Sequence, residues 1–299
     1  SVKGRLKAAA RTMCHDNVPT VQIKLPHENS DINAERKEYY FKPPGFVHSR
    51  LIESVQDPRD LPIAYLFFNI FAITIPSAAF VFFAESNWVG FSYWLINLLL
   101  FHERFILGFH YSSHRGLFKN SVINTITPLI LSPFFGIPSG IYYIHHCVMH
   151  HSENNLSEWD LSSTEPYQRD NFFHFLHYWL RFLCAIWVEL PYYAWKRRRY
   201  NMAAGAAVAI ASFWVALFFL SRLSPCGAFW VFGFPTLAGS FLLMLGNWSQ
   251  HIFINPAQPR SNYHLTYNVI NSDFNQVLQL PSIAFRSFSA RSGPLRAAL

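Results

Sequence analysis

Closely spaced histidines are the residues of this sequence whose types and spacing could do chemistry. They fall into three groups: His110 and His114; His145, His146, His150 and His151; and His251, which follows Asn247. Each group contains two members that are four residues apart. On an α-helix such residues lie on one face, about 5–6 Å from each other, so each pair can aim at a single point.

A metal site is the chemistry that this pattern favours. Imidazole is a good ligand for iron, zinc and copper, and several neutral imidazoles without thiolates favour a redox-active iron centre over structural zinc. The four cysteines are far apart and form no CxxC pair, so they indicate neither a zinc–thiolate site nor a disulfide framework. At about 100° per residue, His151 lies about 140° around a helix from His146, which would direct it to a second ion or to another side of the site.

Each histidine also has a structural interpretation. A single histidine near a helix end is usually an interfacial polar residue, and we prefer that interpretation for His102, His174, His177 and His264. For His110 with His114 alone, the two interpretations are evenly balanced, and Asn247 alone is typical of a helix cap. Four histidines within 145–151 shift the balance, because so many polar residues at a membrane boundary need a reason, and a metal is the simplest.

The composition indicates an integral membrane protein. Of the 299 residues, 51% are hydrophobic, 18% are aromatic and only 14% are charged, whereas soluble domains carry about 25% charged residues. A net charge of +7 could suit nucleic acid. However, the basic residues are scattered or adjoin apolar segments, as at 196–199, which favours an anionic membrane surface as the partner.

Six apolar stretches are long enough to cross a bilayer, since ~20 helical residues span ~30 Å of hydrocarbon. Two of the six carry features that argue against crossing. Proline and glycine in 122–144 favour a re-entrant or interfacial element, and charged residues among aromatics in 171–195 favour a helix lying in the interface. The other four predict two transmembrane hairpins, 61–84 with 88–109 and 203–221 with 226–246.

This division places every histidine group on one face of the membrane. The two turns on the opposite face, 85–87 and 222–225, carry one cation between them, so the positive-inside rule predicts a cytosolic histidine face. The predicted fold class is therefore all-α integral membrane, with about four transmembrane helices in two hairpins, interfacial helices and a cytosolic histidine-box cap. The predicted domains are a cytosolic N-terminal region at 1–60, a membrane domain at 61–276 and an atypical, disordered tail at 277–299.

The joint spacing of the groups resembles the histidine boxes of the membrane fatty acid desaturase and hydroxylase superfamily. His110-x3-His114 matches the first box, His146-x3-His150-His151 matches the second, and Asn247-x3-His251 is similar to the NxxxH element of the acyl-CoA desaturases. The resemblance covers roughly residues 60–276. It implies two iron ions, with the asparagine acting through a water and the metal residues being His110, His114, His146, His150, His151, Asn247 and His251.

The sequence departs from the family pattern in one respect. The family carries a third, C-terminal HxxHH box after the fourth span, and no histidine follows His264 in this sequence. Activity of this chain would then require a substitute ligand such as His145 or His264. The missing box also favours a second interpretation, in which the chain is a truncated, non-catalytic relative.

The expected function is oxygen-dependent desaturation of a lipid acyl chain, with O₂ as co-substrate. Side chains alone cannot remove hydrogen from a methylene, so a cofactor must carry that chemistry. The sequence contains no cytochrome b5-like or flavin motif, so electrons would come from an external donor, which the resemblance implies is cytochrome b5 or ferredoxin. A hydroxylase or ketolase on the same scaffold would carry the same boxes, and a bis-histidine haem carrier is a rival from another class of protein. The resemblance implies a membrane of the endoplasmic reticulum, or else of a plastid.

Overall fold

The computed structural model describes residues 42–155 and 158–253. Most of the predicted N-terminal region, the tail predicted at 277–299 and His264 lie outside the described residues, and the division into domains stays a prediction. In chain order the α-helices are α1 (Gly45–Ser54), α2 (Leu61–Ala84), α3 (Asn87–Asn97), α4 (Glu103–His114), α5 (Ser121–Leu131), α6 (Ile141–Tyr143), α7 (His151–Glu153), α8 (Phe172–Lys196), α9 (Tyr200–Leu223), α10 (Pro225–Ala228) and α11 (Phe234–His251).

Short π- and 3₁₀-helices join several of these α-helices into longer helical runs. The π-helices are Leu98–His102, Ile144–His150 and Phe229–Gly233, and the 3₁₀-helices are Pro58–Asp60 and Ser132–Phe135. Strand pairing within the described ranges amounts to one isolated bridge, between Val55 and Phe118. The prediction of an all-α membrane fold is confirmed.

The described part of the chain contains three helical runs that are long and apolar enough to cross a membrane: Pro58–Ala84, Tyr200–Leu223 and Pro225–His251. The predicted span at 88–109 is not among them. It lies within the run formed by α3, a π-helix and α4, where His102, Glu103 and Arg104 lower the hydropathy. The four-span topology and its cytosolic side stay predictions.

Helix α9 shows most directly that the protein is built for lipid. Its 24 residues reach about 36 Å at ~1.5 Å per residue, which is enough to cross the ~30 Å hydrocarbon core of a bilayer. Only Ala206 and Ile210 are buried in the protein, whereas Val208, Val215 and Phe218 are exposed. Apolar side chains on the outer face of such a helix are stabilised by hydrocarbon, not by water.

The segment predicted to be re-entrant or interfacial is broken, as its proline and glycine content indicated. Helix α5 runs through Pro128 and continues as the 3₁₀-helix that ends at Phe135. Gly136 and Gly140 then adopt positive φ angles of 81° and 86°, and the chain turns into α6. The break therefore lies at the glycines, because they adopt a left-handed backbone without the steric cost that a Cβ brings.

Helix α8 occupies the segment predicted to lie in the interface. It begins after Asn171, whose side-chain oxygen accepts hydrogen bonds from the N–H groups of Phe173 and His174. Arg181 pairs with Glu189 at 2.9 Å on the same helix, which offsets part of the cost of placing charges in an apolar setting. The helix packs against α9 and α11. Its interfacial placement stays a prediction.

Replacing Gly136 with alanine is expected to destabilise the fold. A Cβ at this position would overlap the carbonyl oxygen of Pro235 at the start of α11, and the left-handed backbone alone costs an L-residue about 1–2 kcal/mol. Thermal unfolding in detergent micelles should show a midpoint lower by at least about 2 °C, at 2–4 °C per kcal/mol. Gly205→Ala is the matched control, because nothing lies within 4 Å of its Cβ and alanine favours helix. Equal midpoints for both variants would contradict this account.

Candidate metal centre

The ends of three helical elements bring the predicted ligands together. The first histidine box occupies the last turn of α4, the second occupies a π-helix and the start of α7, and the third element occupies the end of α11. The rings of the first and second boxes approach to 4.3 Å between centroids, for His110 with His146. The second box and the third element approach to 4.9 Å, for His150 with His251. The structure thus places histidines from all three groups in one region.

The second box forms a π-helix, Ile144–His150, in place of the α-helix that its spacing suggested. In a π-helix an N–H bonds to the carbonyl five residues earlier, and the N–H of His151 donates to the carbonyl of His146 in this way. The rings of His146 and His151 are consequently 4.6 Å apart, against 5.8 Å for His146 and His150. The angle of about 140° between His151 and His146 assumed an α-helix, so the expectation that His151 serves a second ion or another side of the site loses that geometric basis.

Four histidines form what we call the primary cluster: His110, His114, His146 and His151. Ligand nitrogens of the first three all lie within 4.8 Å of one another. The Nε2 atom of His146 is 3.1 Å from Nε2 of His114 and 3.1 Å from Nε2 of His151. Neighbouring ligands at right angles, each ~2.1 Å from a metal, are roughly 3 Å apart. A single Nε2 either donates one hydrogen or accepts one, so hydrogen bonding does not account for both contacts, whereas a shared cation does.

Burial keeps the primary cluster neutral near pH 7. Burial, followed by the charges of His150 and other histidines nearby, lowers the pKa of His151 to about 4. Burial and the neighbouring imidazoles of His110 and His151 also lower the pKa of His146 far below its ordinary value. Metal binding requires the neutral imidazole with its free lone pair, and this is the form that the cluster adopts at neutral pH.

His150 and His251 form a second pair beside the primary cluster. Nδ1 of His150 lies 2.9 Å from Oδ2 of the buried Asp160 and 3.0 Å from the Ser162 hydroxyl. A carboxylate at Nδ1 favours the tautomer that carries the hydrogen there, and leaves Nε2 free to bind a metal. Asp160 also accepts hydrogen bonds from the N–H groups of Asn155 and Ser162. Burial alone would raise the pKa of Asp160, but the hydrogen bond and charge of His150 and the Ser162 hydroxyl lower it to about 2.

Asn155 and Thr164 form what we call the clasp, which joins the loop that carries Asp160 to the end of α11. The Thr164 hydroxyl donates to the carbonyl oxygen of His251 at 2.9 Å. Asn155 holds Thr164 from both sides: its side-chain nitrogen lies 3.0 Å from the Thr164 hydroxyl, and its side-chain oxygen accepts from the Thr164 N–H at 2.8 Å. These groups are buried, so the clasp fixes His251 relative to His150.

Asn247 lies inside α11, one turn before its end, so it is not a helix cap. Its side-chain nitrogen donates to the carbonyl of Ser162 at 3.0 Å and to the Tyr178 hydroxyl at 2.7 Å. The side chain therefore ties α11 to the same loop that carries Asp160. Its role as a water-mediated metal ligand stays a prediction.

A column of stacked aromatic rings contacts one face of the His146 imidazole. The rings stack in the order Phe135, Phe105, Phe109, Tyr142 and His146, with successive centroids 4.2, 5.3, 4.4 and 5.2 Å apart. All interplanar angles in the column lie between 19° and 28°. Such offset stacks favour a defined ring orientation, so the column limits how far the His146 imidazole can turn.

The remaining histidines of the described ranges lie outside the cluster. His174 accepts from the Gln168 N–H at 2.8 Å, and His177 lies 3.1 Å from the Tyr167 hydroxyl, which are local structural roles. His102 packs its ring against Phe135. His145, the nearer of the two candidate substitute ligands in sequence, packs edge-to-face against Phe182 at 5.1 Å and lines a separate pocket.

The sequence did not indicate the residues that hold the histidines in place, above all Asp160 and the clasp residues Asn155 and Thr164. Their signal was weak: one acid beside a Ser-Ser-Thr run, ten residues after a box histidine. The structure places Asp160 and Ser162 against His150. Asn154 and Asn155 adopt left-handed backbone angles, which asparagine tolerates better than most residues. Helix α7 therefore ends at Glu153.

A sequence model of the family described as "Fatty acid desaturase" matches residues 86–280. The match covers more than half of the 299 residues and includes all the box histidines. Searches of curated proteins and of solved structures give no significant match.

Proposed function

Because the chain belongs to the fatty acid desaturase family, we propose that it introduces a double bond into a lipid acyl chain in an oxygen-dependent reaction at a histidine-ligated iron centre. Family membership gives the general class, an oxidoreductase of the acyl-chain desaturase or hydroxylase type. The single observation that carries the proposal further is the convergence of three box histidines, His110, His114 and His146, whose ligand nitrogens lie within 4.8 Å of one another.

The side chains present fit iron. Imidazole suits iron, the primary cluster is neutral near pH 7, and its nitrogen spacing matches adjacent positions around one ion. We propose that the primary cluster holds one iron, and that His150 and His251 contribute to a second, with Asn247 acting through a water. His150 and His251 alone would leave the second ion short of protein ligands, and His264 lies outside the described residues. Bound iron would supply O₂ activation and removal of hydrogen from a methylene, which no side chain can perform.

The chain's own residues would then position the metal and exclude water. Asp160 holds the hydrogen on Nδ1 of His150, so that Nε2 faces the ion. The Tyr142 ring, itself backed by Phe109, covers one face of His146 and excludes water from it, which strengthens electrostatic interactions at the site. The apolar runs that end near the histidines accept an acyl tail while its head group stays hydrated. An external donor, such as cytochrome b5 or ferredoxin, supplies electrons at the proposed cytosolic face, in the endoplasmic reticulum or a plastid.

The proposal is tested by expressing the full chain in a eukaryotic host with ample iron and analysing both the protein and the lipids. We expect purified protein to carry more than one iron per chain, and lipids of the expressing cells to include species that have lost two hydrogens. Species that gain one oxygen would identify a hydroxylase on the same scaffold, and a Soret band would identify a haem carrier. Protein with iron well below one per chain, together with unchanged lipids, would overturn the proposal.

A further inference from the structure

An apolar pocket lies between the 136–142 segment, α8 and α11, next to the π-helix that carries His146. Apolar side chains dominate its wall, among them Ile137, Ile141, Phe182, Ile186 and Leu243. His145 also lines it and directly precedes His146 in the π-helix. The pocket therefore reaches the element that carries two of the proposed metal ligands, His146 and His150.

The two hydroxyl groups of the pocket wall make hydrogen bonds, whereas one nitrogen of its imidazole makes none among the described residues. Thr236 donates to the carbonyl of Phe232 at 2.8 Å, and Ser240 donates to the carbonyl of Leu237 at 2.9 Å. Ser240 also accepts from the indole N–H of Trp179 at 3.1 Å. His145 is 93% buried, and its Nε2 has no hydrogen-bond partner among the described residues. A buried polar atom without a partner is costly and calls for an explanation.

A bound water is a poor partner for this nitrogen. A buried water needs two to four polar partners. The hydroxyls of Thr236 and Ser240 have already donated their one hydrogen, so only their lone pairs remain for a water in this otherwise apolar wall. Metal ligation is also a poor explanation, because the ring of His145 lies 6.3 Å from that of His150 and packs on Phe182. A ligand that is mostly hydrocarbon and carries one hydrogen-bonding atom matches both the wall and the nitrogen.

We propose that this pocket binds a hydrocarbon chain that carries an oxygen, as a hydroxyl or a carbonyl, and that this oxygen hydrogen-bonds to Nε2 of His145. An unsubstituted stretch of chain would leave the nitrogen unpaired. Because the oxygen is fixed beside the π-helix, methylenes at a set distance along the chain lie at the primary cluster. This last step rests on the proposed function, whereas binding in the pocket does not. His145 thereby determines specificity without ligating the metal.

The test measures ligand binding to the purified full chain in detergent, without reductant, by displacement of a fluorescent polyene fatty acid. The competitors are octadecane, stearic acid and a series of stearic acids hydroxylated at successive carbons. We expect one member of the hydroxylated series to bind at least tenfold more tightly than stearic acid. That preference should disappear in His145→Phe and persist in part in His145→Gln, whose amide still hydrogen-bonds. His177→Phe, a histidine outside the pocket, should keep the wild-type preference.

The competitors also identify the source of the oxygen. An in-chain hydroxyl is indicated by preference for one isomer. A head-group carbonyl is indicated by stearic acid outcompeting octadecane tenfold, with no isomer preferred, and by loss of that difference in His145→Phe. Equal affinities for all competitors, or a preference that survives His145→Phe, would overturn the inference. Iron content and lipid products are measured separately, so failure here is distinguishable from failure of the proposed function.

Discussion

Iron binding is expected to be lost when His146 is replaced with alanine. This imidazole shares its Nε2 contacts with both His114 and His151, so its removal takes away the nitrogen at the centre of the primary cluster. The fall in metal affinity should exceed the roughly 100-fold loss typical of outer-shell substitutions, and lipid products should fall below detection. Metal content by elemental analysis and cobalt titration of metal-free protein measure the two effects.

The control for this experiment is His174→Ala, which removes a histidine that bonds only to a neighbouring loop. His146→Ala also removes a ring from the aromatic column, so thermal unfolding of the metal-free proteins must be compared. A comparable midpoint with lost metal supports ligation. Wild-type metal content in His146→Ala would show that the cluster is not the metal site.

Asp160→Asn is expected to weaken metal binding 10- to 100-fold, the range for partners that orient a ligating histidine. The asparagine keeps the shape of the side chain, but its amide nitrogen can donate to Nδ1 of His150 and so favour the tautomer with the hydrogen on Nε2. That tautomer has no lone pair facing the metal. The spectrum of bound cobalt should change as well, because the geometry around one ligand changes.

Ser162→Ala provides the matched comparison for Asp160. It removes the hydroxyl that donates to the same carboxylate and that lies 3.0 Å from Nδ1 of His150. The charge beside His150 remains, so the metal affinity should stay within a few-fold of wild type. Unchanged affinity and an unchanged cobalt spectrum in Asp160→Asn would exclude the positioning role.

The sequence predicted the helical membrane fold and the grouping of the box histidines because both depend on local patterns. Runs of apolar residues identified Tyr200–Leu223, and spacing of four residues identified His110 with His114. The span at 88–109 was less well predicted, since His102, Glu103 and Arg104 fall within a helical run whose burial only the tertiary structure defines. Window hydropathy cannot distinguish polar residues that face protein from those that face lipid.

The residues that hold the histidines in place could not be predicted from local patterns. A π-helix differs from an α-helix by one residue in its hydrogen-bond register, and the choice depends on packing by Tyr142 and other neighbours. Asp160 reaches His150 only because two left-handed asparagines turn the chain back. No periodicity in the sequence encodes such a return, and the contact between Thr164 and His251 joins residues 87 apart.

The clasp between Thr164 and His251 has a consequence for how the protein is made. A ribosome that adds ~5–20 residues per second needs roughly 4 to 17 s to synthesise the 87 residues between them. During this interval the earlier boxes have left the ribosome, or are leaving it, without the helix end that completes their surroundings. Under the proposed function, the second iron can therefore bind stably only after the last described helix has been made, because that ion takes His251 from its end. The primary cluster contains no residue of that helix.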